Sequence, residues 1–317
     1  MNILVTGANG FIGKSLCEEL VRHNKFVMAA VRVNHVKYAG IESRLIGKIE
    51  NTTDWSKTLI NASVVVHLAA RVHVMHDNVF DPLEEFRKVN VHGTLHLARE
   101  AAKAGVKRFI FVSSIKVNGE YSEIGKPFTE ADALKPQDAY GISKLEAEQG
   151  LELIAQQTGM EVVIIRPPLV YGAGVKANFA NMLQMIKRSI SLPLGAINNK
   201  RSFVYVGNLV SLIVRCIDHP NAANQTFLVS DGFDLSTTEL LRACATALGV
   251  KSKLIPVPKK LIEVAAAILG KQNVALRLCT NLQVDISKAR TLLDWAPPFT
   301  VEEGLRITAN GINKVNK

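Results

Sequence analysis

Tyr140 and Lys144, in the run Tyr140-Gly141-Ile142-Ser143-Lys144, stand four residues apart at what reads as the start of a helix. One helical turn brings such a pair onto the same face. An ammonium beside a phenol favours the phenolate and lowers a pKa that starts at about 10, which makes an acid/base. The spacing alone equally describes a solvated surface pair. Two other features give it company. One is the turn Gly7-Ala8-Asn9-Gly10-Phe11-Ile12-Gly13; the other is Ser113-Ser114, with Ser114 26 residues ahead of Tyr140.

The elements that must position these groups alternate. Residues 2–6 read as a buried strand, and a helical pattern through Leu16, Leu20 and Val21 follows the glycine turn. Strand, glycine turn and helix together admit a dinucleotide pyrophosphate at the helix N-terminus. A second strand, 26–31, ends at Arg32, where an acid would hold an adenosine ribose 2′-OH. Arg there suits a 2′-phosphate, so NADP(H) is favoured and NAD(H) is the alternative; Arg32 stacked on the adenine is the plainer reading.

A third strand is expected within 43–49, a short helix at 54–60 and a buried strand at 64–70, whose small C-terminal residues allow close approach of a ligand. His73 and His76 read as polar residues of a loop at 71–81, without metal spacing. Residues 82–103 read as one long helix containing Asn90, and 106–112 as a strand with Ser113-Ser114 at its C-terminal end. That is the edge of an open α/β sheet where ligands bind. A polar loop, 118–137, precedes a helix at 138–157, and 161–166 is a sixth strand.

From Pro167-Pro168 the pattern becomes loop-rich, with helices near 176–188, 207–217, 236–248, 258–269 and 300–312. The expected architecture is α/β, a Rossmann-type doubly wound parallel sheet with a smaller C-terminal substrate-binding domain. The division is 1–166 for the dinucleotide and 167–317, mainly helical, for the substrate, with chain crossing back to the first part as an option.

The chain has 317 residues, 48% hydrophobic and 21% charged, which suits a globular protein with a large core. No apolar run reaches the roughly 18 residues of a membrane helix, and the N-terminus reads as a strand, not a signal peptide. Cys17, Cys216, Cys244 and Cys279 are scattered and read as buried free thiols in a cytoplasmic protein; no metal site is expected. The net charge of +10 is dispersed, with no nucleic-acid motif, which argues against nucleic acid and suits a phosphorylated cofactor and substrate. Lys259-Lys260 before an apolar helix reads as a solvated helix start in preference to a membrane contact.

The glycine turn, His67-Leu68-Ala69-Ala70, Asn90, Ser113-Ser114 and Tyr140-x-x-x-Lys144 together resemble the extended short-chain dehydrogenase/reductases of the epimerase/dehydratase type. Arg166-Pro167-Pro168, Arg201-x-Phe203-x-Tyr205 and Leu293-Asp294-Trp295 extend the resemblance along the whole chain. It implies Tyr140 as acid/base, Lys144 as its partner and ribose ligand, and Ser114 on the substrate oxygen. Gly7, Gly10, Phe11, Ile12, Gly13, Leu68, Ala69 and Ala70 would line the cofactor, and Asn90 would order the lysine end. Arg201 and Arg277 would grip a UDP diphosphate, with Asn178 beside the nucleotide phosphates. For Asn178 and Arg277 a structural role weighs as much.

Ile115-Lys116 stands where 4,6-dehydratases carry an Asp-Glu pair, so elimination of water is rejected. Asn118 replaces a common Tyr. The segment 113–120 resembles a subgroup of bacterial O-antigen and polysaccharide pathways, UDP-glucose 4-epimerase-like, some of whose members reduce UDP-4-keto-6-deoxy-N-acetylhexosamines. Lys116 would then aim a cation at the sugar; a solvated loop lysine is the alternative. The leading expectation is NAD(P)H-dependent reduction at C4 of a UDP-4-keto-6-deoxy sugar of the UDP-N-acetylquinovosamine type. A UDP-glucose or UDP-GlcNAc 4-epimerase with bound NAD is the runner-up, and a non-catalytic dinucleotide sensor the third class. The resemblance also implies a homodimer through helices near 82–104 and 138–158.

Overall fold

The computed structural model of the chain describes residues 1–32, 40–72 and 81–315, with side chains as far as 312. His73 and His76 lie outside the described residues. In chain order the elements are β1 (Asn2–Thr6), α1 (Phe11–Arg22), β2 (Phe26–Val31), β3 (Ile41–Leu45), β4 (Val64–His67), α2 (Pro82–Arg87), α3 (Thr94–Lys103) and β5 (Arg108–Val112). Then follow α4 (Ala139–Thr158), β6 (Glu161–Arg166), β7 (Leu169–Tyr171), α5 (Ala177–Lys187), β8 (Phe203–Tyr205), α6 (Val206–Asp218) and β9 (Gln225–Leu228). Among the described residues the last elements are α7 (Thr237–Leu248), α8 (Lys259–Ile268), α9 (Gln272–Cys279), α10 (Ser287–Leu293) and α11 (Val301–Val315).

Seven parallel strands form one sheet in the order β3-β2-β1-β4-β5-β6-β9, and β7 pairs with β8 separately. The central strands are apolar on both faces, as a sheet covered on both sides must be, whereas the edge strand β3 carries Glu42, Ser43 and Arg44. Ile3, Val5, Ile110 and Ile165 join one core with Leu16 and Leu20 of α1 and Leu212 of α6. The alternate residues Leu4, Phe109, Phe111 and Ile164 join the other, with Leu97 of α3 and Leu151 of α4. This is the Rossmann-type α/β fold. Strand order reverses between β1 and β4, which opens the ligand crevice at their C-terminal ends.

Several expectations about elements change, and the strand expected at 64–70 ends at His67. The third strand is Ile41–Leu45 and not the full 43–49. Residues 54–60 form no helix but lead into a turn at 56–61, because Asp54 takes the Ser56 N–H at 2.9 Å locally beside buried Trp55. The helix at 82–103 is broken by a π-helical turn at Lys88–Gly93, whose Gly93 lies where a Cβ would come within 2.8 Å of Ile49 Cγ2. The seventh strand, β9, comes from beyond residue 166. Asn224, at φ 57°, turns the chain into it, and its Oδ1 accepts the Val162 N–H at 2.9 Å.

All four cysteines are buried and free. Burial pushes the thiols of Cys17, Cys216 and Cys244 up to about 12.

Candidate active site

The first wall of the site is the glycine turn. Gly7 has φ 67°, and a Cβ there would sit 2.8 Å from Ala69 N. A Cβ on Gly13 would sit 2.2 Å from Gly7 O, so α1 can begin this close to β1 only without a side chain. Gly10 caps α1 without a side-chain hydrogen bond, and no acid lies in the first turn, Phe11-Ile12-Gly13. The positive end of the helix therefore faces the crevice unneutralised. Leu68, Ala69 and Ala70 lie half-buried beyond β4, held by the Leu68 N–H to Thr6 O at 3.3 Å and the Ala69 N–H to Thr6 Oγ1 at 3.3 Å. Arg32 is exposed just past β2. A tight glycine turn, an open helix N-terminus and a wall of small residues fit a dinucleotide.

The second wall is α4. Asp138 caps it by accepting the Gly141 N–H at 2.7 Å, and Gly159, at φ 74°, ends it. Tyr140 is therefore in the first turn, edge-on to Phe86 at 6.0 Å between ring centres. Lys144 is 2% exposed. Its ammonium donates to Val112 O at the end of β5 at 2.9 Å, lies 4.3 Å from the Phe111 ring centre and 5.9 Å from that of Tyr140. A Cβ on Gly141 would approach Lys116 O to 3.0 Å, so α4 rests directly on the turn that follows Ser114. Ser114 is half-buried, and its Oγ accepts the Lys116 N–H at 3.3 Å. The hydroxyl of buried Ser113 has no partner among the described residues.

The electrostatics depart from the sequence expectation. Burial, and then the charge of Asp138, push the Tyr140 phenol above its ordinary value. Burial also drives the Lys144 ammonium down to about 7, against an opposing pull from Glu148. Burial and Asp138 thus outweigh the partly charged lysine in setting the tyrosine. His67, between Thr6 Oγ1 at 2.7 Å and Thr94 Oγ1 at 3.0 Å, is held neutral. Burial, then Lys144, lower it to about 3.

Asn90 is buried and bonds backbone, with no hydrogen bond to Lys144 among the described residues. Its Oδ1 accepts the Arg71 N–H at 2.8 Å, and its Nδ2 donates to Arg71 O at 3.0 Å and to Ser143 Oγ at 3.0 Å. Ser143 Oγ in turn donates to Tyr140 O at 2.8 Å. The π-helical turn thus carries an amide that ties the Arg71 backbone to the first turn of α4.

Lys116 lies in the short turn after Ser114. It pairs with Asp138 and, at 2.9 Å, with Glu120, because the turn at 115–117 folds its side chain back over the α4 cap. Asn118 is buried and structural: its Oδ1 accepts from Arg166 Nη1 at 3.1 Å, and Arg166 pairs with Glu148 at 2.6 Å. Arg201 Nη1 donates to Thr280 O at 3.1 Å. Burial lowers its guanidinium to about 10, with Glu120 raising it and Arg277 lowering it, so these three charges share one neighbourhood. Arg277, on α9, is exposed, as is Asn178 in the first turn of α5. Sequence reasoning missed Asp138, Glu120, Ser143 and the Arg166–Glu148 pair. The acid two residues before Tyr140, at a helix start, was the available signal for the first. A cavity of about 710 Å³ between α7 and α11 is lined by Phe233, Leu235, Ala247 and Leu305 and by none of these side chains.

Residues 3–230 match the model of the NAD dependent epimerase/dehydratase family. The chain is 48% identical over 317 residues to a UDP-glucose 4-epimerase of Vibrio cholerae, covering 99% of this chain and 96% of that one. It is 27% identical over 321 residues to the N-acetyl-alpha-D-glucosaminyl-diphospho-ditrans,octacis-undecaprenol 4-epimerase of Escherichia coli O157:H7, covering 96% and 93%. The crystal structure of the UDP-glucose 4-epimerase of Thermotoga maritima with UDP-glucose is similar along the full length of both chains, with a TM-score of 0.79 and 25% identity. The chain is therefore an enzyme of the extended short-chain dehydrogenase/reductases and belongs to the NAD dependent epimerase/dehydratase family.

Proposed function

We propose that the chain inverts C4 of a UDP-hexose or UDP-N-acetylhexosamine, as a 4-epimerase that keeps NAD bound through the cycle. The observation that carries this reading is the site around Tyr140. The residues after Ser114 offer no acid/base pair for elimination, since Ile115 is buried and Lys116 is spent on two carboxylates. What is left is proton transfer at a single oxygen. The similarity to the Vibrio cholerae enzyme supports the same reading.

Tyr140 takes the proton of the sugar O4 hydroxyl and later returns it. The Ser114 hydroxyl hydrogen-bonds the same oxygen, and the charged fraction of Lys144 stabilises the phenolate. Arg201 holds the diphosphate through planar paired donors, with Arg277 and Asn178 at its exposed side. Gly7, Gly10, Phe11, Ile12, Gly13, Leu68, Ala69, Ala70 and Arg32 hold the dinucleotide, and Asn90 keeps the loop at Arg71 in place beside it. When bound, the dinucleotide supplies the hydride acceptor and donor for C4.

A second reading is the NADPH-dependent 4-reductase of a UDP-4-keto-6-deoxy sugar. It is favoured by Arg32 beyond β2, which suits a 2′-phosphate, and by the raised phenol of Tyr140, which holds the proton a reduction must donate. Purified protein incubated with UDP-glucose and UDP-GlcNAc, without added cofactor, separates the two. Formation of the C4 epimers, read by proton NMR, supports the epimerase. Inert UDP-hexoses, with NADPH consumed only on the 4-keto sugar, overturn it.

A further inference from the structure

We propose that the α8–α9 hairpin docks the protein onto an anionic lipid bilayer. A solvated helix normally turns its polar stripe to water and its apolar stripe inward. α8 does the reverse and has no buried residue. Leu261, Val264 and Ile268, at i, i+3 and i+7, are 59%, 56% and 80% exposed, and Leu269, Val274 and Leu276 continue the apolar surface onto α9. Ile262, Glu263 and Ala266, away from that stripe, are the partly covered positions.

The charge around this face has one sign. Residues 250–280 contain Lys251, Lys253, Lys259, Lys260, Lys271 and Arg277 against a single acid, Glu263. That acid is paired with Lys259 at 3.6 Å. Exposed lysines thus stand at both ends of the apolar stripe, where their stems reach past it and their heads reach a phosphate layer. An apolar stripe rimmed by lysines is the pattern of a helix lying in the plane of a bilayer, drawn there by anionic headgroups. A second copy of this chain fits worse, because a two-fold contact would set the same lysines against one another. Arg277 belongs to this hairpin and lies in the charge neighbourhood of Arg201. Docking therefore puts that end of the candidate site at the membrane surface. The docking itself does not depend on which C4 reaction the enzyme performs.

The test is co-sedimentation of the full chain at low salt with vesicles of phosphatidylcholine, alone or with roughly a quarter phosphatidylglycerol. The chain should bind the anionic vesicles at least about tenfold better than the neutral ones, and high salt should release it. Leu261→Glu with Ile268→Glu should lose that binding by about tenfold or more while unfolding temperature and turnover of soluble UDP-sugar stay unchanged. Lys259→Glu with Lys260→Glu should weaken it similarly without touching the stripe. Equal binding to both vesicle types, no binding to either, or unaltered binding by the stripe variant would overturn the proposal. So would a stripe variant that turned a wild-type dimer into a monomer, since the face would then cover a second copy.

Discussion

The ammonium of Lys116 is held by the carboxylate of Asp138, the residue that caps the helix on which Tyr140 stands. Asp138 therefore has two effects on the tyrosine. Its Oδ1 fixes the first turn through the Gly141 N–H, and its charge opposes the phenolate. Lys116 blunts that charge. Asp138→Asn keeps a side chain able to cap and removes the charge. The limb of the kcat/KM profile that reports Tyr140 should move to lower pH, by about half to one unit. Lys116→Met unmasks the carboxylate and should move the same limb upward; pH profiles of the two variants with the nucleotide sugar read both shifts.

Tyr140→Phe removes the proton carrier and leaves the ring against Phe86. Turnover should fall by about a thousandfold or more. The dinucleotide content of the purified protein, measured after denaturation, should be unchanged. Retained turnover would assign the proton transfer to another group.

Arg201 is largely buried and Arg277 is exposed, so the two arginines should differ in weight. Arg201→Ala should raise KM for the nucleotide sugar about tenfold or more with a smaller effect on kcat, the pattern of lost ground-state binding. Arg277→Ala should act in the same direction and less, since an exposed charge is screened.

Arg166 and Glu148 are 4% and 2% exposed and paired at 2.6 Å, and Asn118 takes a further guanidinium N–H. Removing one partner leaves an uncompensated buried charge. Glu148→Ala should cost about 3–5 kcal/mol in urea unfolding, and Arg166→Met with Glu148→Met less than the two single changes together.

His67 is neutral in the fold, pushed to about 3 from 6.5. Below pH 6.5 the unfolded chain takes up a proton that the folded chain refuses, so stability falls as pH falls from 6.5 towards 3. From pH 6.5 to 5 the loss should be about 2 kcal/mol. His67→Gln should flatten this part of the stability profile, measured by denaturant unfolding at each pH.

The parts of the molecule legible in the sequence are those with a local signal of their own. The run from β1 through Gly7, Gly10 and Gly13 into α1 is one, since each residue type answers a steric demand within a few positions. The placement of Tyr140 and Lys144 on α4 and of Ser114 at the end of β5 is another. What escaped depends on partners distant in sequence. β9 is four residues long, and it is a strand only because β6 offers it a ladder. The π-helical turn at Lys88–Gly93 packs its Gly93 against Ile49, about forty residues earlier, a contact that local sequence does not announce. The fate of Lys116 was set by Asp138, across the whole 118–137 loop, and the titration of Tyr140 by burial, which no spacing rule supplies.

The four sealed cysteines give the molecule a chemical clock. A thiolate is the reactive species; the thiols of Cys17, Cys216 and Cys244, pushed up to about 12, are almost never thiolates near neutral pH, and burial raises Cys279 as well. Cys17 stands on α1 under the glycine turn, Cys216 on α6 across the same core, Cys244 on α7 and Cys279 on α9. Each reports the opening of a different region. In maleimide, the chain would gain the mass of one adduct as each thiol is exposed, which times the opening of each region, Cys279 reporting on the end of α9.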